Sequence, residues 1–330
     1  MVTLRRVRAL LIVNPHATST TQLRREVIVS ALGSELDLEA VETRYRGHAA
    51  KLAAGAVRSR HDLVLTLGGD GTVNEVVNGL LHAGDGEPNG GRLAGGQAAD
   101  ELPALATIPG GNANVFTRAL GLPPDPIDAT GHILAAIASG KSRHIGLGLA
   151  GDRYFTCSAG LGIDGEVVRA MEGLRATGRK ASDALYTWTT LRQYYAQTNR
   201  REPALTLERN GQPPVDGVFL GVVSNTAPWT YLGRRPVNPS PQASFDSGLD
   251  LFALRRLRTV STLNVILQML SAKSIPLNGR NVLSLHDEPE LALRSARPIA
   301  MQVDGEYTGE YEYVVFRSVP RALRVFGATG

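Results

Sequence analysis

A chain of 330 residues with 43% hydrophobic content can bury one large core or two ordinary ones. The formal charge of +4 rests almost wholly on arginine, since Lys51, Lys141, Lys180 and Lys273 are the only lysines. That mild excess, with no basic stripe interleaved with aromatics, gives no nucleic-acid signature, and Cys157 as the single cysteine excludes a disulfide framework or a cysteine-rich zinc site.

The first apolar run, RALLIVN from Arg8, is too short for a signal peptide and stops at Asn14-Pro15, so it reads as a strand. The segment TQLRREVIVSALG has helical spacing, LEAVETR is a second strand and HAAKLAAGAVRS a second helix. DLVLTLG gives a third strand, VNEVVNGLLHAG a third helix and LPALATIPGG a fourth strand. Continuous apolar strands alternating with helices predict a parallel sheet covered on both faces. Residues 84–101 break the pattern with six glycines in eighteen residues, and read as a surface insertion.

The texture changes after about Gly140. Short strand-like runs such as RYFTCSAG, VFLGVVSN, LDLFAL, IAMQVDG and YEYVVFR are separated by turn pairs, Gly151-Asp152, Asn210-Gly211 and Asp304-Gly305 among them. Cys157 lies in one such run, as a buried inert thiol. Two helical stretches interrupt the strands, at 165–197 and 258–273. The expected class is α/β plus β: a Rossmann-like N-terminal α/β domain, then an antiparallel β-sandwich. No stretch approaches the roughly 18 apolar residues of a membrane span, which predicts a soluble, cytoplasmic protein.

The densest chemistry lies in TLGGDGTVNEVVNGL, Thr66 to Leu80. Strand, glycine loop and helix in that order make an anion site, because glycine lets backbone amides approach a phosphate. Thr72 and Glu75 fit a capping box that would start the helix at Thr72, with Val73, Val76, Val77, Leu80 and Leu81 as its buried stripe. Asp70 would repel bare phosphate, so a cation should lie between them, and a nucleotide with Mg²⁺ satisfies all of these features. A tight turn with Asp70 as a helix cap remains the plain alternative. No Gly-Lys-Ser/Thr follows, so this is not the usual P-loop.

GGDGT followed by VNEVVNGL closely resembles the nucleotide loop of the diacylglycerol kinase and sphingosine kinase family of lipid kinases. The wider superfamily includes NAD kinases and phosphofructokinases. Asn14-Pro15 matches the family's Asn-Pro loop, with His16, Ala17 and Thr18 replacing its usual continuation, and Thr43 matches a threonine on the nucleotide. IPGGNANVFTRALGLP resembles the PLGTxNDFAR loop, with Asn112 in place of the threonine and Val115 in place of the aspartate. PQASFDSGLDLFAL resembles a segment that helps hold a structural Mg²⁺ in some bacterial members. Ser247 replaces its second aspartate, leaving Asp246 and Asp250 as candidate metal ligands. MQVDGE resembles the Asp-Gly-Glu motif whose glutamate is the proton acceptor, which maps onto Glu306 with Asp304 beside it.

The resemblance implies a catalytic nucleotide domain at 1–140, rejoined by 321–330, and a substrate domain at 141–320, with the nucleotide in the cleft between them. It implies ATP and Mg²⁺ as cofactors. Asn14, Pro15, His16, Thr18, Thr43, Gly68, Gly69, Asp70, Gly71, Thr72, Val73, Asn74 and Asn112 would meet the nucleotide, and Asp70, Asp304 and Glu306 would form the catalytic set. The expected reaction transfers the γ-phosphate of ATP to a membrane lipid hydroxyl, with diacylglycerol first among acceptors. A soluble acceptor such as NAD and a non-catalytic nucleotide sensor stay open. Tyr186, Trp188, Tyr194 and Tyr195, with Arg192, Arg200 and Arg201, suit transient contact at a membrane surface, or ordinary helix packing. No nucleic-acid partner is expected, and a homodimer is left open.

Overall fold

The computed structural model describes residues 6–17, 20–84, 97–162, 204–257, 259–271, 275 and 277–327. Three largely apolar runs and the mixed DLEAVE form the parallel strands of a first unit, Met1–Leu147 with Val319–Gly330. They are β1 (Arg8–Val13), β2 (Asp37–Glu42), β3 (Leu63–Gly68) and β4 (Ala104–Pro109), in the spatial order β4-β3-β1-β2. Every residue of β3 and β4 is buried, as strands covered on both faces require, whereas β2 at the edge is largely exposed.

Helices α1 (Gln22–Glu35) and α6 (Pro126–Ala138) supply Ile28, Leu32 and Ile133 to one core, against Leu11, Leu65, Ala106 and Ile108. Helices α2 (His48–Arg58) and α3 (Asp70–Gly84) lie against each other so closely that a methyl at Gly79 would overlap the Ala50 carbonyl. Short helices α4 (Gln97–Glu101) and α5 (Val115–Ala119) complete the unit. The glycine-rich stretch is therefore not wholly irregular. Ala99 in α4 is buried, and Asp100 bonds the His144 ring at 2.9 Å. Residues 85–96 lie outside the described residues.

The second unit, Gly148–Ser318, is built from antiparallel strands. Its main path runs β14 (Val282–Glu288), β13 (Leu249–Leu254), β10 (Leu220–Ser224), β7 (Ser158–Gly162), β15 (Glu290–Val303), β16 (Glu306–Phe326). β8 (Leu205–Arg209) pairs with β15 and with β9 (Gln212–Val218). β5 (Arg143–Ala150) and β6 (Arg153–Phe155) form a hairpin, and β11 (Thr230–Leu232) with β12 (Arg235–Val237) a separate small ribbon. Phe155, Leu161, Leu251, Leu293, Met301 and Phe316 lie in its main core. Helix α7 (Thr259–Met269) rests on a second cluster of Val222, Phe252, Leu254, Leu257 and Leu277.

The last residues of β16 return to the first unit, where Val325 and Phe326 pair in parallel with Leu105 and Ala106 of β4. An α/β unit followed by an antiparallel β unit is thus the observed class, as the sequence predicts. Among the described residues no helix is long and apolar enough to cross a membrane. The aromatic stretch with Tyr186, Trp188, Tyr194 and Tyr195 lies outside the described residues.

Candidate functional site

In the order β4-β3-β1-β2 the connections diverge between β1 and β3, and loops at the carboxyl ends of such strands are where open α/β sheets bind ligands. Asn14 follows β1, Gly69 follows β3 and Gly110 follows β4, so three candidate segments meet at that end. The Asn14 amide donates to the Leu67 carbonyl at 2.9 Å, and the Gly110 amide to the Gly68 carbonyl at 2.8 Å. The Asn14 side chain donates to Thr72 Oγ1 at 3.1 Å.

The glycines are needed for the crossing of these loops. A methyl on Gly111 would stand 2.8 Å from Gly69 Cα, and one on Gly110 3.0 Å from Gly68 Cα. Two backbones approach with no side chain between them; the Gly110 and Gly111 amides are taken up by the Gly68 carbonyl and Asn114, so an anion here would be met from the Gly69 side. Gly71 and Thr72 lie in the first turn of α3, whose amides lack intrahelical partners and add the helix's positive end.

The predicted capping box is not formed. The Val73 amide bonds the Gly69 carbonyl at 3.2 Å, so the helix starts at Asp70 and Thr72 lies inside its first turn. Glu75 instead accepts from the Gly47 amide at 2.8 Å and the Ala49 amide at 3.1 Å, closing the N-terminus of α2. Asp70 accepts from the Phe116 amide at 3.1 Å and so holds the first turn of α5. Capping is therefore part of its role, on a helix other than its own.

The remaining candidates in this unit divide by position. Thr43 is half-buried and its amide bonds the Val13 carbonyl at 2.8 Å, while His16 and Asn112 are exposed. Pro15 offers its carbonyl to Arg25 at 3.1 Å. The side chains of Val73 and Asn74 are buried, and the Asn74 carboxamide oxygen accepts from Asn78 at 3.3 Å. Thr18 lies outside the described residues. Sequence reasoning passed over Asn114. It takes the left-handed conformation (φ 47°) and bonds both sides of Gly111, with the Gly111 amide at 2.8 Å and its carbonyl at 2.7 Å. The signal was present, since asparagine is one of the few residues that tolerate this conformation.

In the second unit, β15 and β16 are joined by Asp304 and Gly305, both at positive φ (47° and 78°), which makes a tight two-residue hairpin. The Asp304 carboxylate accepts from the Thr156 amide (2.8 Å), Thr156 Oγ1 (2.9 Å), the Cys157 amide (2.8 Å) and the Ser158 amide (3.0 Å). It is fully engaged in tying the hairpin to the segment before β7. Glu306 differs: its carboxylate accepts from Arg153 at 2.7 Å and stays partly exposed. Arg153 also lines a cavity of about 480 Å³ with Met301, Tyr311, Val315 and Arg317.

Asp246 and Asp250 stand in different surroundings. Asp250 is 2% exposed, and its Oδ1 accepts from the His286 ring at 2.7 Å and the Asp287 amide at 3.2 Å. Burial pushes its pKa up, against the lowering effect of those two hydrogen bonds. Asp246 is exposed. Among the described residues no three His, Cys, Asp or Glu side chains come together as ligands.

Fold and loops together define an α/β unit with a glycine crossing at the carboxyl end of its strands, and known proteins share parts of it. Residues 8–150 match the family model described as diacylglycerol kinase catalytic domain. Over that segment, which holds GGDGT, the chain is similar to that domain family. A Staphylococcus epidermidis protein named diacylglycerol kinase is 35% identical over 154 residues, and a Staphylococcus aureus protein of the same name 33% identical over 153. Each match takes in 46% of this chain and 42% of the relative, so the chain spans less than half the length of the curated relatives it matches. A crystal structure titled a putative diacylglycerol kinase from Bacillus anthracis superposes over 98% of both chains with a TM-score of 0.73 at 22% identity. A second, titled a diacylglycerol kinase from the same organism, gives 0.69 at 19%. At these identities the likeness establishes the two-part fold.

Proposed function

We propose that this protein is an ATP-dependent lipid kinase that transfers the γ-phosphate to a membrane lipid hydroxyl, with diacylglycerol as acceptor and phosphatidic acid as product. The observation that carries this reading is the glycine crossing of Gly68 and Gly69 over Gly110 and Gly111, inside the segment that matches a diacylglycerol kinase catalytic domain. The first unit is then the nucleotide unit and the second the acceptor unit.

Phosphoryl transfer depends on alignment and charge neutralisation more than on covalent chemistry. The backbone at Gly68, Gly69, Gly71 and Thr72 would cradle phosphates, with Asn14, Thr43 and Asn112 around the rest of the nucleotide. Mg²⁺ suits the site only through nucleotide oxygens and the Asp70 carboxylate, since no cluster of ligands stands nearby among the described residues. That is how Mg²⁺ is commonly held in kinases, and it would supply the positive charge that no lysine within the GGDGT loop provides. Glu306 is the proton acceptor for the hydroxyl. Asp304 positions the hairpin that presents it. The cavity beside Arg153, walled by Met301, Tyr311 and Val315, suits an acceptor with an apolar body.

The test is incubation of the full chain with labelled ATP and a panel of diacylglycerol, other lipid alcohols and NAD. Label in phosphatidic acid is the expected result. Label in phosphorylated NAD alone would replace the lipid reading with a soluble-acceptor kinase. ATP binding with no transfer to any acceptor would leave a nucleotide sensor.

A further inference from the structure

Surface helices ordinarily turn apolar side chains inward and polar ones outward. Helix α7 is apolar on both sides. Val265 and Met269, four residues apart, pack on the Phe252 and Leu254 cluster. Val260, Leu263 and Leu267, spaced to share the opposite face, are 83%, 56% and 60% exposed. Ile266 on the same helix is 43% exposed, and Ile275, after it in sequence, is 56% exposed. Half of the ten exposed large hydrophobics among the described residues thus lie between Val260 and Ile275, which makes a patch instead of scattered singles.

The helix is firmly seated. The Met269 and Leu270 carbonyls accept from the Asn238 amide (2.9 Å) and from Arg235 (2.8 Å), and Gln268 exchanges two hydrogen bonds with Asn278. The outward face is a fixed feature of the fold. The sequence around it is one-signed: between Asp250 and Asp287 it holds Arg255, Arg256, Arg258, Lys273 and Arg280 and no carboxylate. Arg255, Arg256 and Arg280 are exposed, and the Arg255 amide bonds the Asn281 carbonyl at 2.8 Å, which sets Arg255 beside the Arg280–Asn281 backbone.

We propose that the outward face of α7, flanked by Arg255, Arg256 and Arg280, docks this protein onto an anionic lipid bilayer. Apolar side chains that enter the acyl boundary beside cations that meet anionic headgroups are what interfacial helices use. A second copy of the chain fits less well, because a two-fold contact through this patch would set arginines against arginines. The inference deepens the lipid-kinase reading and rests on it for the reason to visit a membrane.

The test is sedimentation of the full chain with phosphatidylglycerol or phosphatidylcholine vesicles. Two variants accompany it: Val260→Ser with Leu263→Ser and Leu267→Ser, and Arg255→Gln with Arg256→Gln and Arg280→Gln. The wild type should bind phosphatidylglycerol in preference to phosphatidylcholine, less so at high salt. Each variant should lose roughly tenfold or more of that binding, while phosphorylating soluble short-chain diacylglycerol as the wild type does. Unchanged vesicle binding in both variants overturns the proposal, as does a serine variant that turns a dimer into a monomer while still binding vesicles. If the serine variant fails to fold, the arginine variant decides. If the wild type phosphorylates neither form of diacylglycerol, the kinase reading fails, and the docking face still stands or falls on sedimentation.

Discussion

Arg153 donates to Glu306 Oε2 at 2.7 Å, and both side chains keep about a quarter of their surface in solvent (28% and 21%). The guanidinium fixes the direction of the Glu306 carboxylate in the Asp-Gly-Glu turn.

A general base is worth about 10²–10⁴ in rate, so Glu306→Gln should lower turnover by about two orders of magnitude or more. Glutamine keeps the shape and can still accept from Arg153, so the thermal midpoint should hardly move. ATP affinity, read by calorimetry, should stay near wild type. Near-normal turnover would remove Glu306 from catalysis.

Asp304, two residues earlier, should behave in the opposite way on stability. Asp304→Ala strips the acceptor from four donors around residues 156–158. Leaving such groups unpaired should lower the unfolding free energy by roughly 3 kcal/mol, measured by urea titration. A variant as stable as wild type would show that water replaces the carboxylate there.

Asp70→Asn retains an oxygen for the Phe116 amide while losing the charge, so stability should hold and turnover should collapse. Asp70→Ala should in addition lose about 1 kcal/mol of stability, the usual worth of a helix cap. Residual turnover in the Asn variant near that of wild type would reduce Asp70 to a cap.

Burial raises the pKa of Asp250 above the ordinary 3.8, despite the His286 and Asp287 hydrogen bonds that lower it. The folded state therefore holds this proton more tightly than the unfolded chain. Its stabilising contribution is complete below 3.8 and is lost as pH rises through the folded value. Asp250→Asn should flatten that fall in melting temperature over the same window. An unaltered pH profile would show that another group controls it.

What was legible in the sequence was chemistry local to one segment. GGDGT after an apolar strand announces its own loop, and continuous apolar runs announce buried parallel strands. The start of α6 was passed over, although Asp125 caps the Ile127 amide at 2.9 Å and proline occupies the first helical position. Pro213-Pro214 obscured β9, which exists because it is an edge strand paired only with β8. Nothing local could reveal the Gly69–Gly111 approach, the closing of α2 by Glu75, or the pairing of Arg153 with a residue 153 positions away. Each depends on which loops the sheet brings to one end, and topology is not written in any single window. The capping box failed for that reason, as a better set of amides lay across the α2–α3 contact.

The only thiol in the chain lies buried in the short segment that Asp304 holds, where the Cys157 amide meets Asp304 at 2.8 Å and its carbonyl accepts from the Asn225 amide at 2.8 Å. A thiol reagent added to the native protein has a single target, reached only when this segment opens. Its labelling rate is a clock for that opening, available with no engineered probe. Asp304→Ala should make the clock run fast, while Glu306→Gln leaves its pace unchanged.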